Sequence, residues 1–491
     1  MSVRFDWLDW LVPKERVGQQ LVVVFAMHFV LRLLVGLSPH SGEGAAPQFG
    51  DFEAQRHWME ITGSVPVHDW YRGLTPGNDL SYWGLDYPPL TAFVSFAHGR
   101  AIAAALNDSR PFALVQSRGF ESPQLKLGMR LSVLLSEVAF LWPAVLAFVV
   151  SVGVRRERVA GTVSVILLQP ALIQIDHAHF QYNGICLALT LLAIVAVVND
   201  RPYWATVWYC SALNFKHMSL YFAPAFFFQM LGDACRLGSV GAAVLRVALL
   251  GAVAAATFAV LWAPWLAERD PAALAQIAAR LLPWERGLFE DKVANFWCTL
   301  SPVLKLKGVY AIGTLRQLCL GATLLAIAPA SLALLTRRFR VETFLCGLLA
   351  LSMAFFLFSY QVHEKSLLMP LLPLSLLFAL DARWHTPLAL LSLVGHFSMY
   401  PLAQKDRTRI AYFALAALFY VGVGGLQRHW LVLLSLAGML AIHLLLALVT
   451  PPAHLPDLFT VACTSFSFLH FAALLVAATV QTWRRAKDKD D

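Results

Sequence analysis

LVVVFAMHFVLRLLVGL (Leu21 to Leu37), followed after a short connection by GDFEAQRHWMEIT (Gly50 to Thr62), decides how this chain is read. The first run is apolar and of a length that can cross a bilayer, which takes about 17–25 residues of helix. The second is dense in carboxylates, cations and aromatics, residue types that are costly near hydrocarbon and tend to mark a function there. Another such island, WGLDYPPLTAF (Trp83 to Phe93), lies in the same connection. Polar-aromatic islands in the first loop of a multispanning chain point to an active site at a membrane surface.

Composition sets the class. Of 491 residues, 58% are hydrophobic and only 14% charged, whereas soluble domains carry about a quarter charged residues. The chain is expected to be an all-α polytopic membrane protein. Met1 to Arg16 is polar and shows no cleavable signal, so the first apolar run is expected to remain as an anchor. The net charge of +8 is the mark of loop asymmetry in a membrane protein, and no basic patch interleaved with aromatics suggests nucleic acid. Six cysteines (Cys186, Cys210, Cys235, Cys319, Cys346 and Cys463) fall in apolar stretches and Cys298 in a polar one. Neither a disulfide framework nor a metal pattern emerges.

Hydrophobic runs predict 14 spans, at 17–38, 128–152, 158–175, 181–198, 203–217, 218–233, 240–266, 309–335, 342–360, 365–380, 385–402, 409–425, 429–449 and 457–482. The run from Pro88 to Leu106 is Ala-rich, is interrupted by His98 and Arg100, and is expected to be a helix lying on the membrane surface. Omitting it places Arg155, Arg156, Arg158, Arg201, Arg236, Arg337, Arg338, Arg340, Arg383, Arg484 and Arg485 on the side of the N-terminus, which is then cytoplasmic. Counting it would scatter them.

That topology sends seven islands to the opposite face: the two above, QSRGFES (Gln116 to Ser122), IDHAHFQYN (Ile175 to Asn183), FKHMSLYFAP (Phe215 to Pro224), PWERGLFEDKVANFWC (Pro283 to Cys298) and FSYQVHEKS (Phe358 to Ser366). Carboxylates with cations and aromatics suit transfer of a sugar from an anionic lipid carrier. A carboxylate deprotonates the attacking hydroxyl, while cations and His363 offset charge growing on a departing phosphate. Plainer readings exist for each: loop acids for Asp51 and Glu53, a mutual salt bridge for Glu364 with Lys365, packing for Phe180, Tyr182 and Phe296. Asp86 to Pro89 reads equally as the cap and first turn of the surface helix. Asp176, His177 and His179 are metal-ligand types without a coherent ligand set.

The runs GDFEAQRHWMEIT, WGLDYPPLTA, QSRGFES, HFQYN, RGLFEDKVANFWC and QVHEKS, with PPAHLPDLFTV (Pro451 to Val461), strongly resemble the endoplasmic-reticulum alpha-1,3-glucosyltransferases that use dolichyl phosphate glucose. The forms EAQRHWMEIT, WGLDYPPLTA and LFEDKVANFWC look like the enzyme that adds the first glucose to the nine-mannose dolichyl-diphosphate oligosaccharide. The alternatives are the sister enzyme that adds the second glucose and, from another class, a lipid-linked sugar transporter. The resemblance implies a GT-C fold with a cytosolic segment 1–16, a catalytic module 17–380 bearing lumenal loops 39–127 and 267–308, C-terminal helices 381–482 and a cytosolic tail 483–491. It implies an inverting transfer with Asp51 as general base and Asp86 as a possible second acid. Arg56, His57, Arg286, Lys292, His363, Glu364 and Lys365 are then expected to bind the donor's phosphate and sugar. No metal or other cofactor is expected; the expected partners are dolichyl phosphate glucose, the dolichyl-diphosphate oligosaccharide and membrane lipid.

Lys487 to Asp491, KDKDD, resembles a cytosolic dilysine signal for retrieval to the endoplasmic reticulum, consistent with a multi-pass protein of that membrane. Asn107-Asp108-Ser109 is an N-glycosylation sequon that the topology leaves in the lumen.

Overall fold

The computed structural model describes residues 6–282, 288, 292–424 and 430–484, and all regular structure among them is helical. Four helices carry or brace the first long connection: α1 (Val17–Gly36), α2 (Gly50–Ser64), α3 (Pro89–Leu106) and α4 (Pro123–Ser151). Among the described residues seven helices are long and apolar enough to cross a membrane: α1, α4, Val240–Leu261, Ile312–Thr336, Val341–Phe358, Trp430–Leu448 and Leu458–Trp483. Arg156–Leu167 with Pro170–Phe180, bent by 48°, makes an eighth if the pair is one span. The other six expected spans also contain helices, but of only 13–16 residues: Asn183–Val198, Pro202–Phe215, Ala223–Cys235, Leu368–Leu380, His385–Ser398 and Arg409–Gly422. At 1.5 Å per residue they are about 20–24 Å long, against a hydrocarbon core of about 30 Å.

Local chemistry sets the boundaries. The Ser122 hydroxyl accepts the Leu125 N–H at 3.1 Å and opens α4, with Pro123 in the first turn, where a missing N–H costs nothing. Asn107, in left-handed conformation, closes α3. The segment predicted to lie on the membrane surface is indeed helical, and it packs against α2 and the start of α4. Gly99 makes this possible: a Cβ there would lie 2.8 Å from Met59 Cβ. The connections 39–122 and 262–282 also dock on each other. Arg280 donates to the carbonyls of Leu80 and Gly84 at 2.9 Å each, and Arg72 pairs with Glu268 at 2.8 Å.

Within the bundle a charged cluster is fully enclosed. Arg32 on α1 reaches Glu137 on α4 at 2.6 Å, with neither side chain more than 1% exposed. Glu137 also meets His177 Nε2 at 2.9 Å. Arg32 donates at 3.0 Å to the Leu167 carbonyl, the last of the helix before the bend. Pro170 cannot continue the ladder, so Arg32 satisfies backbone freed at the break, as a low-dielectric interior demands.

Removing one member of a buried ion pair leaves an unpaired charge and costs about 3–5 kcal/mol. Arg32→Met is therefore expected to lower the melting temperature in detergent sharply. The double variant Arg32→Met/Glu137→Leu should melt higher than the single one.

Candidate active site

The start of α2 leaves no room for a side chain at position 50. Phe49 and Gly50 both take left-handed backbone, with φ of 57° and 68°. A Cβ on Gly50 would lie 2.9 Å from the carbonyl carbon and oxygen of Ser41, an approach that glycine alone tolerates in that conformation. The Ser41 hydroxyl accepts the Phe52 N–H at 3.1 Å, and the Ser41 N–H donates to the His179 carbonyl at 3.0 Å. The first turn of α2 is thereby fastened to the end of the broken helix. Asp51 sits in that turn, where the positive end of the helix dipole favours a carboxylate.

Donors then converge on a single oxygen. Asp51 Oδ2 accepts from Lys365 Nζ and Gln181 Nε2, and meets His179 Nε2 at 3.0 Å. Among the described residues no donor reaches Oδ1, and the side chain is 23% exposed. Desolvation favours the neutral acid, but the charges of Lys365 and His179 outweigh it and hold the Asp51 carboxyl well below the usual carboxylate range.

The second ring nitrogen of His179 lies 2.5 Å from Asp406 Oδ2. Gln181 Oε1 accepts from Lys216 Nζ at 2.6 Å, and Lys216 also donates to Asn183 Oδ1 at 2.7 Å. Asn183 Nδ2 donates to Asp176, whose other oxygen accepts the Gly184 N–H, both at 2.7 Å. Asp176, His177 and His179 thus turn to three different partners.

Of the residues expected at the site, Lys365 contacts Asp51 directly. It pairs there, and not with Glu364 as the adjacent positions suggested. His363 stands at the N-terminal boundary of the 3-10 turn Glu364–Leu367 that carries Lys365, and its backbone carbonyl accepts the Ser366 N–H at 3.0 Å. Glu364 lines a cavity of about 170 Å³ together with Lys292, Lys405 and Asp457. Lys292 and Asp457 pair at 2.8 Å across it. Asp86 precedes Tyr87, whose ring lies 4.9 Å from Lys216 Nζ. Arg286 lies outside the described residues.

Arg56 and His57 face away from Asp51. Five residues along a helix turn Arg56 about 140° from Asp51, and both side chains are buried with Glu53 and Glu60, which share their face. Arg56 makes a two-pronged bond to Glu53 at 2.6 Å, another to Glu60 at 2.7 Å, and two more to Ser117 Oγ and the Pro111 carbonyl at 2.7 Å. His57 Nδ1 lies 3.1 Å from Glu60. Glu53 and Glu60 also accept the N–H groups of Gly119 and Val115, at 3.0 and 2.7 Å. This face holds the loop containing QSRGFES onto α2.

Sequence reading did not single out Gln181 or Asp406. Gln181 lay within a quoted island. Asp406 lay in LAQKDRTRI, whose charge run between two expected spans falls on the same face of the topology, a signal sufficient to have found it.

The described residues are all helical, with a carboxylate held among cations at the helix ends, and the family matched below places the chain in the class of membrane-embedded glycosyltransferases with a GT-C fold. Comparison with known proteins gives the family. The model of the ALG6, ALG8 glycosyltransferase family matches residues 28–477, and the chain belongs to that family. It is 45% identical over 418 residues (84% of this chain, 76% of the relative) to a protein of Arabidopsis thaliana named "Probable dolichyl pyrophosphate Man9GlcNAc2 alpha-1,3-glucosyltransferase". It is 40% identical over 437 residues (86% and 76%) to the Saccharomyces cerevisiae dolichyl pyrophosphate Man9GlcNAc2 alpha-1,3-glucosyltransferase. To the Gallus gallus protein of that name it is 36% identical over 493 residues (93% and 95%).

Replacing Arg56 by Met strands Glu53 and Glu60 without their cation, at a cost of about 3–5 kcal/mol. Hydrogen exchange is expected to show lost protection across α2 and residues 111–120. A surface Arg serving only a ligand would leave that protection intact.

Proposed function

We propose that this chain transfers the first glucose from dolichyl phosphate glucose, in alpha-1,3 linkage, to the nine-mannose dolichyl-diphosphate oligosaccharide of N-glycan assembly. The reaction takes place on the lumenal side of the endoplasmic-reticulum membrane. The observation that carries the mechanism is the asymmetry of Asp51: Oδ2 is taken up by Lys365, Gln181 and His179, while Oδ1 meets no donor among the described residues. The names of the relatives support the acceptor and the linkage.

In this reading Asp51 Oδ1 takes the proton of the acceptor mannose hydroxyl as its oxygen bonds to C1 of the glucosyl group. The C1–oxygen bond to phosphate breaks on the opposite face, and its electron pair leaves with dolichyl phosphate. One displacement inverts the beta-linked donor to an alpha product and needs no covalent enzyme intermediate. A depressed pKa keeps Asp51 ionised and ready. Cations beside the Glu364 cavity, Lys292 and Lys405 with His363 nearby, offset charge on the departing phosphate. Protein side chains supply that charge, and no cofactor is assigned.

The test is glucose transfer by purified protein from dolichyl phosphate glucose to two lipid-linked acceptors, one with nine mannoses and one already carrying a glucose. Transfer to the first alone, reduced ~10²–10⁴-fold in Asp51→Asn, is expected. Transfer only to the second moves the assignment to the sister activity, and transfer to neither by folded protein returns the transporter reading.

The pH dependence has a defined sign. Lys365 lowers the Asp51 pKa against a desolvation that raises it, so Lys365→Met is expected to move the acid limb of kcat/KM to higher pH. An unmoved limb would show that Asp51 is not the group that titrates.

A further inference from the structure

Asp406 lies between the helices Tyr400–Lys405 and Arg409–Gly422, in a part of the chain to which sequence reading gave no chemistry. Its side chain is 4% exposed, and Oδ2 lies 2.5 Å from His179 Nδ1. The other ring nitrogen, Nε2, faces Asp51 Oδ2 at 3.0 Å. Ionised carboxylates only accept hydrogen bonds, whereas a neutral imidazole offers one donor and one acceptor. A ring held between two carboxylates satisfies both only by donating from both nitrogens.

The turn that carries Asp406 is fastened to the segment that carries His179. The Asp406 N–H donates to the Leu402 carbonyl, and the Thr408 N–H to that of Ala403, both at 2.9 Å. The Thr408 hydroxyl accepts from Gln174 Nε2 at 2.7 Å, and Gln174 begins the π-helical turn Gln174–Phe180 that contains His179. The Asp406–His179 contact is therefore held in register from a second point. Charged groups surround the ring from each neighbouring element. Asp51 comes from α2, Glu364 and Lys365 from the 3-10 turn, Arg130 from α4 through the Ala178 carbonyl at 2.7 Å, and Lys216 through Gln181.

We propose that Asp406 is a positioning residue for glucosyl transfer: it fixes His179 as a double donor, so that His179 holds Oδ2 of Asp51 and leaves Oδ1 for the acceptor hydroxyl. This rests on the general-base reading of Asp51. Asp406 touches no reacting atom and acts through His179. A carboxylate that sets the protonation and orientation of a histidine is known to govern rate by orders of magnitude where the ring serves the reacting group. With an amide at 406 the Nδ1–H can still meet a carbonyl oxygen, but the ring loses the negative charge that favours its doubly protonated form. Asp51 then loses one of the cations that keep it ionised.

The experiment measures kcat, both KM values and the pH profile of transfer to the nine-mannose acceptor. It uses full-length protein carrying Asp406→Asn, Asp406→Glu, His179→Gln or His179→Gln/Asp406→Asn, each with a thermal melt. Asp406→Asn is expected to lose kcat roughly tenfold or more with both KM values within about twofold, and its acid limb is expected to move to higher pH. Asp406→Glu should regain part of the loss. The double variant should be no slower than His179→Gln alone, because the two residues act in series. Wild-type kcat and pH profile in Asp406→Asn would overturn the proposal, as would losses that multiply in the double variant. So would an activity loss in both Asn and Glu variants that tracks a collapsed melting transition. Asp51→Asn, assayed alongside, separates the two readings: if it remains active the general base is wrong, and if it is silent while Asp406→Asn is normal, only the positioning role falls.

Discussion

A single carboxylate oxygen holds this structure's distant parts to a common point. Asp51 Oδ2 draws in Lys365 from one turn and Gln181 and His179 from another, and through His179 it reaches Asp406. Two acids and two bases balance there, where any one of them alone would suffer several kcal/mol of desolvation. The backbone departs from regular helix where these side chains must be delivered. Phe49 and Gly50 turn left-handed before Asp51, a π-turn carries His179, and a 3-10 turn carries Lys365.

Helix α2 shows how one short segment serves two purposes. Asp51 looks toward the helix ends of the bundle. Glu53, Arg56, His57 and Glu60, at helical spacing on another face, bind the loop that passes over them. A different stretch of the same connection, residues 72–84, is joined to the second long connection by Arg72 and Arg280. The carboxylate is thereby mounted on a helix gripped along its length, and such support is what keeps a reacting group in place.

The fold class was legible because hydrocarbon composition and arginine placement are summed over hundreds of residues. Every expected span contains a helix, and the Ala-rich run after Pro88 is a helix of the loop. Helix length was less legible. Hydropathy counts apolar residues whether they face lipid or protein, so it could not tell the buried 13-residue helix Leu368–Leu380 from a full crossing. At the site, Asp51 and Lys365 lie in dense polar islands and stood out. Arg56 and His57 shared Asp51's island but not its face, which a motif does not show until helical phase is applied. Asp406 lies in a short charged run between two expected spans, which marks its face of the topology, but its pairing with His179, 227 residues away, is recorded by no local pattern.

The short helices have a consequence for the bilayer around the protein. Arg409–Gly422, 14 residues and about 21 Å long, exposes Ile410, Phe413 and Val421, whereas Val240–Leu261 has 22 residues and none of them buried. Hydrophobic mismatch of this kind is met by local thinning of the bilayer. The acyl layer is therefore expected to be thinner beside Arg409–Gly422, the helix that follows Asp406, than beside Val240–Leu261.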